Sequence, residues 1–243
     1  MFGLFRQRQR QKLQSRPVPD EWLLYLNKHV PFFWRYSPEL RQRFLEHLKV
    51  FVWEKKFVGA GGLAMTDEVR VVVSATAVRL VMFLGLSYYD ELDEIVVYPR
   101  APQVPEDRKL VPNQTKHLST VFLSWESVLE GLRNPDDGQD AGSFKFAQVL
   151  DLTDGAFDGT PKLHEYSHYD AWASVMNNHF RGLRGGRKAE RSLMGRHSSL
   201  TEEEFFAVAT AAFFERPQQM KQKLPDLYEE LKRFYKWDPS SGD

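Results

Sequence analysis

The sequence predicts a mostly helical α+β fold with a small β-sheet. Apolar residues recur at the i, i+3, i+4 spacing of an α-helix through most of the chain, and two short segments have the β-branched and aromatic residues of strands. Of 243 residues, 42% are hydrophobic and 14% aromatic. This composition can bury a full core, as one domain over residues 21–239 or as two closely packed lobes, with residues 240–243 as a tail.

The individual elements follow from periodicity and from capping and turn residues. Thr66, followed by Asp67 and Glu68, is typical of a helix N-terminus, because a hydroxyl and early acids stabilise its free amides. Three glycines just before Thr66 indicate a turn. The expected helices are residues 21–27, 38–50, 67–84, 143–150, 169–183, 202–215 and 225–235, the expected strands are 94–98 and 119–123, and a polar loop is expected at 131–142.

Residues 1–20 are predicted to be a flexible basic tail. The first sixteen residues carry five positive charges and no negative charge, although the net charge of the whole chain is zero. Such a tail could contact phosphate or anionic lipid. A solvated terminus is favoured, because no aromatic platform or recognition motif accompanies the charges, so a nucleic-acid partner is unsupported. The charges are Arg6, Arg8, Arg10, Lys12 and Arg16.

Several protein classes are excluded by composition. No stretch approaches the roughly 20 apolar residues that cross a bilayer, and the first residues do not form a signal peptide. The chain has no cysteine, which excludes disulfides, thiol nucleophiles and cysteine-ligated zinc. We therefore expect a soluble cytoplasmic protein in which any metal is held by histidine and carboxylate.

One segment has the spacing of a zinc site. Residues 164–168 read HEYSH, and on a helix His164 and His168 would share a face and bind one Zn²⁺, with Glu165 as general base. The surroundings are unusual for a zinc helix, since Lys162 and the acidic residue at 170 flank the motif. Pro161 further indicates that a helix only begins near His164.

Other short blocks occur together, in one order, in a known family. They include VVYP at residues 96–99, EFFAV at 204–208 and FYKWDP at 234–239, with further blocks at 62–63, 66–70, 123–125, 154–155, 158–159 and 213–214. Over about residues 22–239 the chain resembles the Mlc titration factor A family of glucose-regulated zinc metallopeptidases. The resemblance implies a zincin-like fold, and a family whose members resemble both peptidases and regulators that bind a transcriptional repressor.

The family's zinc helix reads approximately HEFAHxLD between two Asp-Gly loops. Without a gap, that pattern places its first His on Phe144, its Glu on Lys145 and its second His on Gln148. Phenylalanine has no lone pair for a metal, a protonated lysine repels Zn²⁺, and an amide is a poor substitute for imidazole. The family's zinc motif is therefore expected to be lost, while the apolar face of the helix remains.

Two further positions bear on catalysis. Glu204 matches the family's third zinc ligand, either as a ligand beside His164 and His168 or as a remnant paired with Lys145. His197 stands where the family usually has a tyrosine proposed to stabilise the oxyanion, and a protonated histidine can also donate there.

Two functions therefore remain open. The leading one is a non-catalytic pseudo-peptidase without a cofactor, which acts by binding a protein partner, with a transcriptional regulator as the candidate. The alternative is an active zinc-dependent aminopeptidase-like enzyme with His164, His168 and Glu204 as ligands, Glu165 as base and His197 at the oxyanion.

Overall fold

The computed structural model describes residues 2–103, 120–154, 156, 158–195 and 200–241. The predicted α+β fold, mostly helical with a small sheet, is confirmed. No helix in these ranges is both long and apolar enough to span a bilayer. The helices are α1 (Phe2–Gln14), α2 (Asp20–His29), α3 (Pro31–Arg35), α4 (Pro38–Glu54), α5 (Asp67–Val81), α6 (Trp125–Arg133), α7 (Ala141–Asp151), α8 (Tyr169–Arg184), α9 (Lys188–Met194), α10 (Glu202–Glu215), α11 (Pro217–Lys223) and α12 (Pro225–Tyr235).

Three parallel strands form the sheet, in the order β1 (Lys56–Gly59), β2 (Glu94–Tyr98) and β3 (Thr120–Ser124). Val96 pairs with Val58 on one side and with Phe122 on the other. The two predicted strands agree with β2 and β3, although residue 119 lies outside the described ranges. The sequence did not predict β1, because a four-residue strand is stabilised by its pairing with β2 rather than by a pattern of its own.

Helix α5 lies at the centre of the core. From Val69 to Val81 every residue except Arg70 is buried. The predicted cap is present, since the Thr66 hydroxyl accepts a hydrogen bond from the Val69 amide at 3.3 Å. Burial on all sides explains why this helix shows no polar face.

Helix α7 packs against α5 at very short range. A Cβ atom added at Gly142 would lie within 2.8 Å of side-chain atoms of Thr76, so only glycine permits this approach. One turn further along, Phe146 is fully buried, and its ring centroid lies 5.9 Å from that of Phe51 and 5.8 Å from that of Tyr89. These contacts fix the position of α7 in the core.

The prediction of a flexible tail at residues 1–20 is wrong for residues 2–14, which form helix α1. Arg10 forms ion pairs with Glu54 and Asp90, each at 2.7 Å, and Leu13 is buried. The two acidic partners lie 44 and 80 residues further along the chain. The basic composition of this segment predicted a solvated tail. Instead, ion pairs with carboxylates from distant parts of the chain hold the segment against α4.

The last residue of α10, Glu215, is a buried acid. Its exposed fraction is 6%. Burial raises the pKa of its carboxyl from the ordinary 4.5 to about 8, with Asp140 and Asp137 adding to the rise and Arg79 opposing it. At neutral pH the carboxyl therefore keeps its proton in the folded protein.

This proton makes stability depend on pH. Between 4.5 and about 8 the folded protein holds it, whereas the unfolded chain releases it, so the free energy of unfolding should fall as the pH rises through this window. Glu215→Gln, which carries no proton to lose, should show a smaller fall. Urea unfolding of both proteins at about pH 5 and about pH 8 measures the difference, and equal falls would contradict the assignment.

Candidate functional site between helices α7 and α10

A cavity of about 290 Å³ lies where α7 meets α10. Phe144 forms part of its wall on the α7 side, and Glu204 and Val208 form part of its wall on the α10 side. The structure thus brings Phe144 and Glu204, two of the residues singled out in the sequence, to one cavity. The remaining lining residues are Gly138, Gln139, Asp140, Ala141, Leu200 and Ala211.

The α7 side of the site offers no donor set for zinc. Phe144 and Lys145 are half-buried and Gln148 is buried. The Lys145 ammonium donates to the Gln148 amide oxygen at 3.3 Å and lies 5.6 Å from the centre of the Phe144 ring. A hydrocarbon ring, a cation and an amide already bonded to that cation do not fit a divalent metal.

Glu204 has a structural task at the start of α10. Its carboxylate accepts a hydrogen bond from the Thr201 amide at 3.4 Å, and its own amide donates to the Thr201 hydroxyl at 3.4 Å. This is a capping box, in which the side-chain oxygen of each residue accepts a hydrogen bond from the free backbone amide of the other. The ion pairs among described residues do not include the expected one between Glu204 and Lys145. The Thr-x-x-Glu spacing was a readable signal that the sequence interpretation missed.

The start of α7 is fixed in a similar way. The Asp140 carboxylate accepts from the Ser143 amide at 3.0 Å and from its hydroxyl at 2.6 Å. At the other end, Asp151 is buried and accepts from the Gly159 amide at 2.9 Å, which positions the loop that follows.

The HEYSH segment is not an α-helix. Glu165 has extended backbone angles, with φ −136° and ψ 136°, and only Tyr166–His168 forms a short 3-10 turn before α8. His164 and His168 therefore do not share a helical face. This agrees with Pro161, which indicated that a helix begins only near the motif. The geometry that makes the motif a zinc site depends on that face.

Each of the two histidines has a partner of its own. His164 Nε2 lies 2.8 Å from the Phe234 carbonyl oxygen, and its ring stacks on that of Phe234. Because a carbonyl only accepts, Nε2 must carry the proton, which leaves Nδ1 as the nitrogen of this ring with a lone pair. His168 Nε2 lies 3.4 Å from a Glu165 carboxylate oxygen.

The described residues contain no group of three His, Asp or Glu side chains that could hold a metal ion. The structure therefore does not bring His164, His168 and Glu204 together. Glu165, the base of the alternative mechanism, has a side chain that is 66% exposed and contacts His168 instead of a metal site. His197, the proposed oxyanion donor, lies outside the described residues.

Comparison with known proteins gives consistent matches. The profile of the glucose-regulated metallo-peptidase M90 family matches residues 4–236. The uncharacterized protein slr2042 of Synechocystis is 32% identical over 243 residues, which cover 94% of this chain and 88% of that protein. Mlc titration factor A of Yersinia pestis is 21% identical over 239 residues, which cover 90% of this chain and 85% of that protein. Mlc titration factor A of Yersinia pseudotuberculosis matches to the same extent, 21% over 239 residues.

Proposed function

The chain belongs to the glucose-regulated metallo-peptidase M90 family, and from this we propose that it is a non-catalytic member which binds a segment of a protein partner in the cavity between α7 and α10. The observation that carries the proposal is the position of Phe144 opposite Glu204. In the gap-free alignment these are the sites of the first and third zinc ligands. The second-ligand and general-base positions hold Gln148 and Lys145, which supply neither function.

The alternative of an active zinc peptidase depends on the HEYSH segment. Its support is the spacing of His164 and His168 and the match of Glu204 to the family's third zinc ligand. Against it stand the extended backbone at Glu165 and the packing of the His164 ring, which stacks on the Phe234 ring and donates to the Phe234 carbonyl. A rebuilt site needs this segment to become helical and to reach Glu204, at the cost of these contacts. The non-catalytic function needs no such rearrangement.

The cavity has a chemistry that suits a protein side chain. Phe144, Leu200, Val208 and Ala211 make its walls largely apolar, and the lining also contains two acidic residues, Asp140 and Glu204. Its volume of 290 Å³ lies at the small end of ligand pockets, which span about 300–1,000 Å³. An apolar side chain followed by a basic one fits these features. Relatives of the chain are named Mlc titration factor A, and the family resemblance described above implies binding to a transcriptional repressor. A transcriptional regulator is accordingly our candidate partner.

Site-specific photo-crosslinking tests this function in cells that express the chain. A photo-reactive amino acid at Gln139, an exposed residue at the rim of the cavity, should form a discrete protein adduct. The same probe at Leu24, which is 66% exposed on α2, should not. Ala211→Trp, which fills the cavity, should remove the Gln139 adduct.

The contrary results are equally clear. No adduct at Gln139, equal adducts at both positions, or an adduct that survives Ala211→Trp would each contradict binding in this cavity. Circular dichroism of purified Ala211→Trp provides the control for folding. Should that variant unfold, Val208→Phe provides a second, smaller way to fill the same cavity.

A further inference from the structure

A second cavity, far along α10 from Glu204, has unusual walls. Its volume is about 150 Å³, and it lies between α3, α5 and the turn from α10 to α11. Aromatic rings of Phe32, Phe214 and Trp237 form apolar walls, and Tyr36, Arg79 and Glu215 add polar groups. This cavity has no part in the function proposed above.

The Arg79 guanidinium lies close enough to the Tyr36 hydroxyl to limit the rise in pKa that burial causes there. Even so, three buried polar atoms at this cavity have no partner in hydrogen-bond geometry within the described part of the chain. They are the Tyr36 hydroxyl, Arg79 Nε and one Glu215 carboxyl oxygen. The three residues are each at least nine-tenths buried, with exposed fractions of 8%, 8% and 6%. An unsatisfied buried polar group costs about 1–3 kcal/mol, so three around one cavity are a strong indication of a missing partner.

Arg79 sets the charge of that partner. Its guanidinium donates to the Phe214 carbonyl and lies against two rings, 4.3 Å from the centre of Phe32 and 5.1 Å from that of Phe214. The ion pairs among the described residues include none with Arg79. The rings hold the cation in place without neutralising it, so the site favours an anion.

We propose that this cavity binds a small organic carboxylate, whose oxygens accept hydrogen bonds from Arg79 Nε and the Tyr36 hydroxyl and whose apolar body lies against Phe32, Phe214 and Trp237. Arginine presents the N–H geometry that carboxylates prefer. Burial raises the pKa of Glu215 to about 8, so its carboxyl is mostly protonated at neutral pH and donates to the ligand instead of repelling it. The aromatic walls favour an organic acid over inorganic phosphate.

The volume limits the ligand to a compact molecule. A protein cavity of about 150 Å³ accommodates benzene. Acetate, butyrate and benzoate span the suitable range, and the corresponding amides match them in shape without the charge. Tyr36→Phe removes one donor and leaves the ring in the core, and Tyr25→Phe on α2 is a control outside the cavity.

Chemical-shift titration of the ¹⁵N-labelled full chain tests the proposal. At least one of the three carboxylates should give saturable shifts of the backbone amides of residues 79 and 214–216, and its amide should bind at least about tenfold more weakly. Tyr36→Phe should weaken binding severalfold, while Tyr25→Phe leaves it unchanged. The proposal is wrong if none of the three acids gives saturable shifts there, if the amides bind equally well, or if Tyr36→Phe binds like the wild type.

Discussion

The triple variant Phe144→His, Lys145→Glu, Gln148→His is expected to bind about one zinc ion per chain. These changes place two imidazoles one turn apart on α7, a geometry that binds Zn²⁺, and α7 is already helical there. Glu204 lines the same cavity as position 144 and can supply a third ligand. Elemental analysis after dialysis against zinc-free buffer measures the stoichiometry.

The increase in zinc affinity should be large, because the three substitutions supply ligand side chains on a helix whose backbone already has the required geometry. Glu204 must leave its hydrogen bond with the Thr201 amide, and losing a cap costs only about 1 kcal/mol. A zinc site formed by three protein ligands is far stronger than that. Adding Glu204→Ala to the triple variant should therefore release much of the metal. Two results would contradict the alignment of α7 with the family's zinc helix. One is zinc binding that is equally strong with and without Glu204→Ala, and the other is no zinc binding by a folded triple variant.

Phe146→Ala is expected to destabilise the protein by about 3–5 kcal/mol. Phe146 is fully buried between the rings of Phe51 and Tyr89, so truncation leaves a cavity in the core. Urea unfolding gives the free-energy difference directly.

The neighbouring position gives the matched control. Lys145 is half-buried, and the loss of its side chain should cost less than about 1 kcal/mol. A much larger loss of stability in Phe146→Ala than at position 145 is expected if core packing, and not the side chain of Lys145, holds α7 in place. Equal losses would show instead that Lys145 has taken on a core role.

Local sequence signals were enough to find much of this fold. Thr66 with its two following acids marked the start of α5, and the structure shows the expected cap. Pro161 and the charged residues around HEYSH argued against a zinc helix, and Glu165 is indeed extended. Each of these features depends on interactions between residues that are close together in the sequence.

The features that the sequence did not show depend on distant contacts. Arg10 finds its partners 44 and 80 residues away, which turns a basic tail into α1. Strand β1 exists through pairing with β2. The second cavity combines Tyr36, Arg79 and Glu215, which no spacing rule connects. Composition and periodicity do not report which segments meet.

The most direct test of the non-catalytic assignment is the zinc content of the wild-type chain, purified without chelator or metal-affinity tag, beside that of His168→Ala. We expect no stoichiometric zinc in either protein after incubation with the metal, because Phe144, Lys145 and Gln148 provide no donor set and the extended backbone at Glu165 keeps His164 and His168 off a common helical face. About one zinc per wild-type chain that disappears in His168→Ala would contradict this account and establish a metal site at HEYSH.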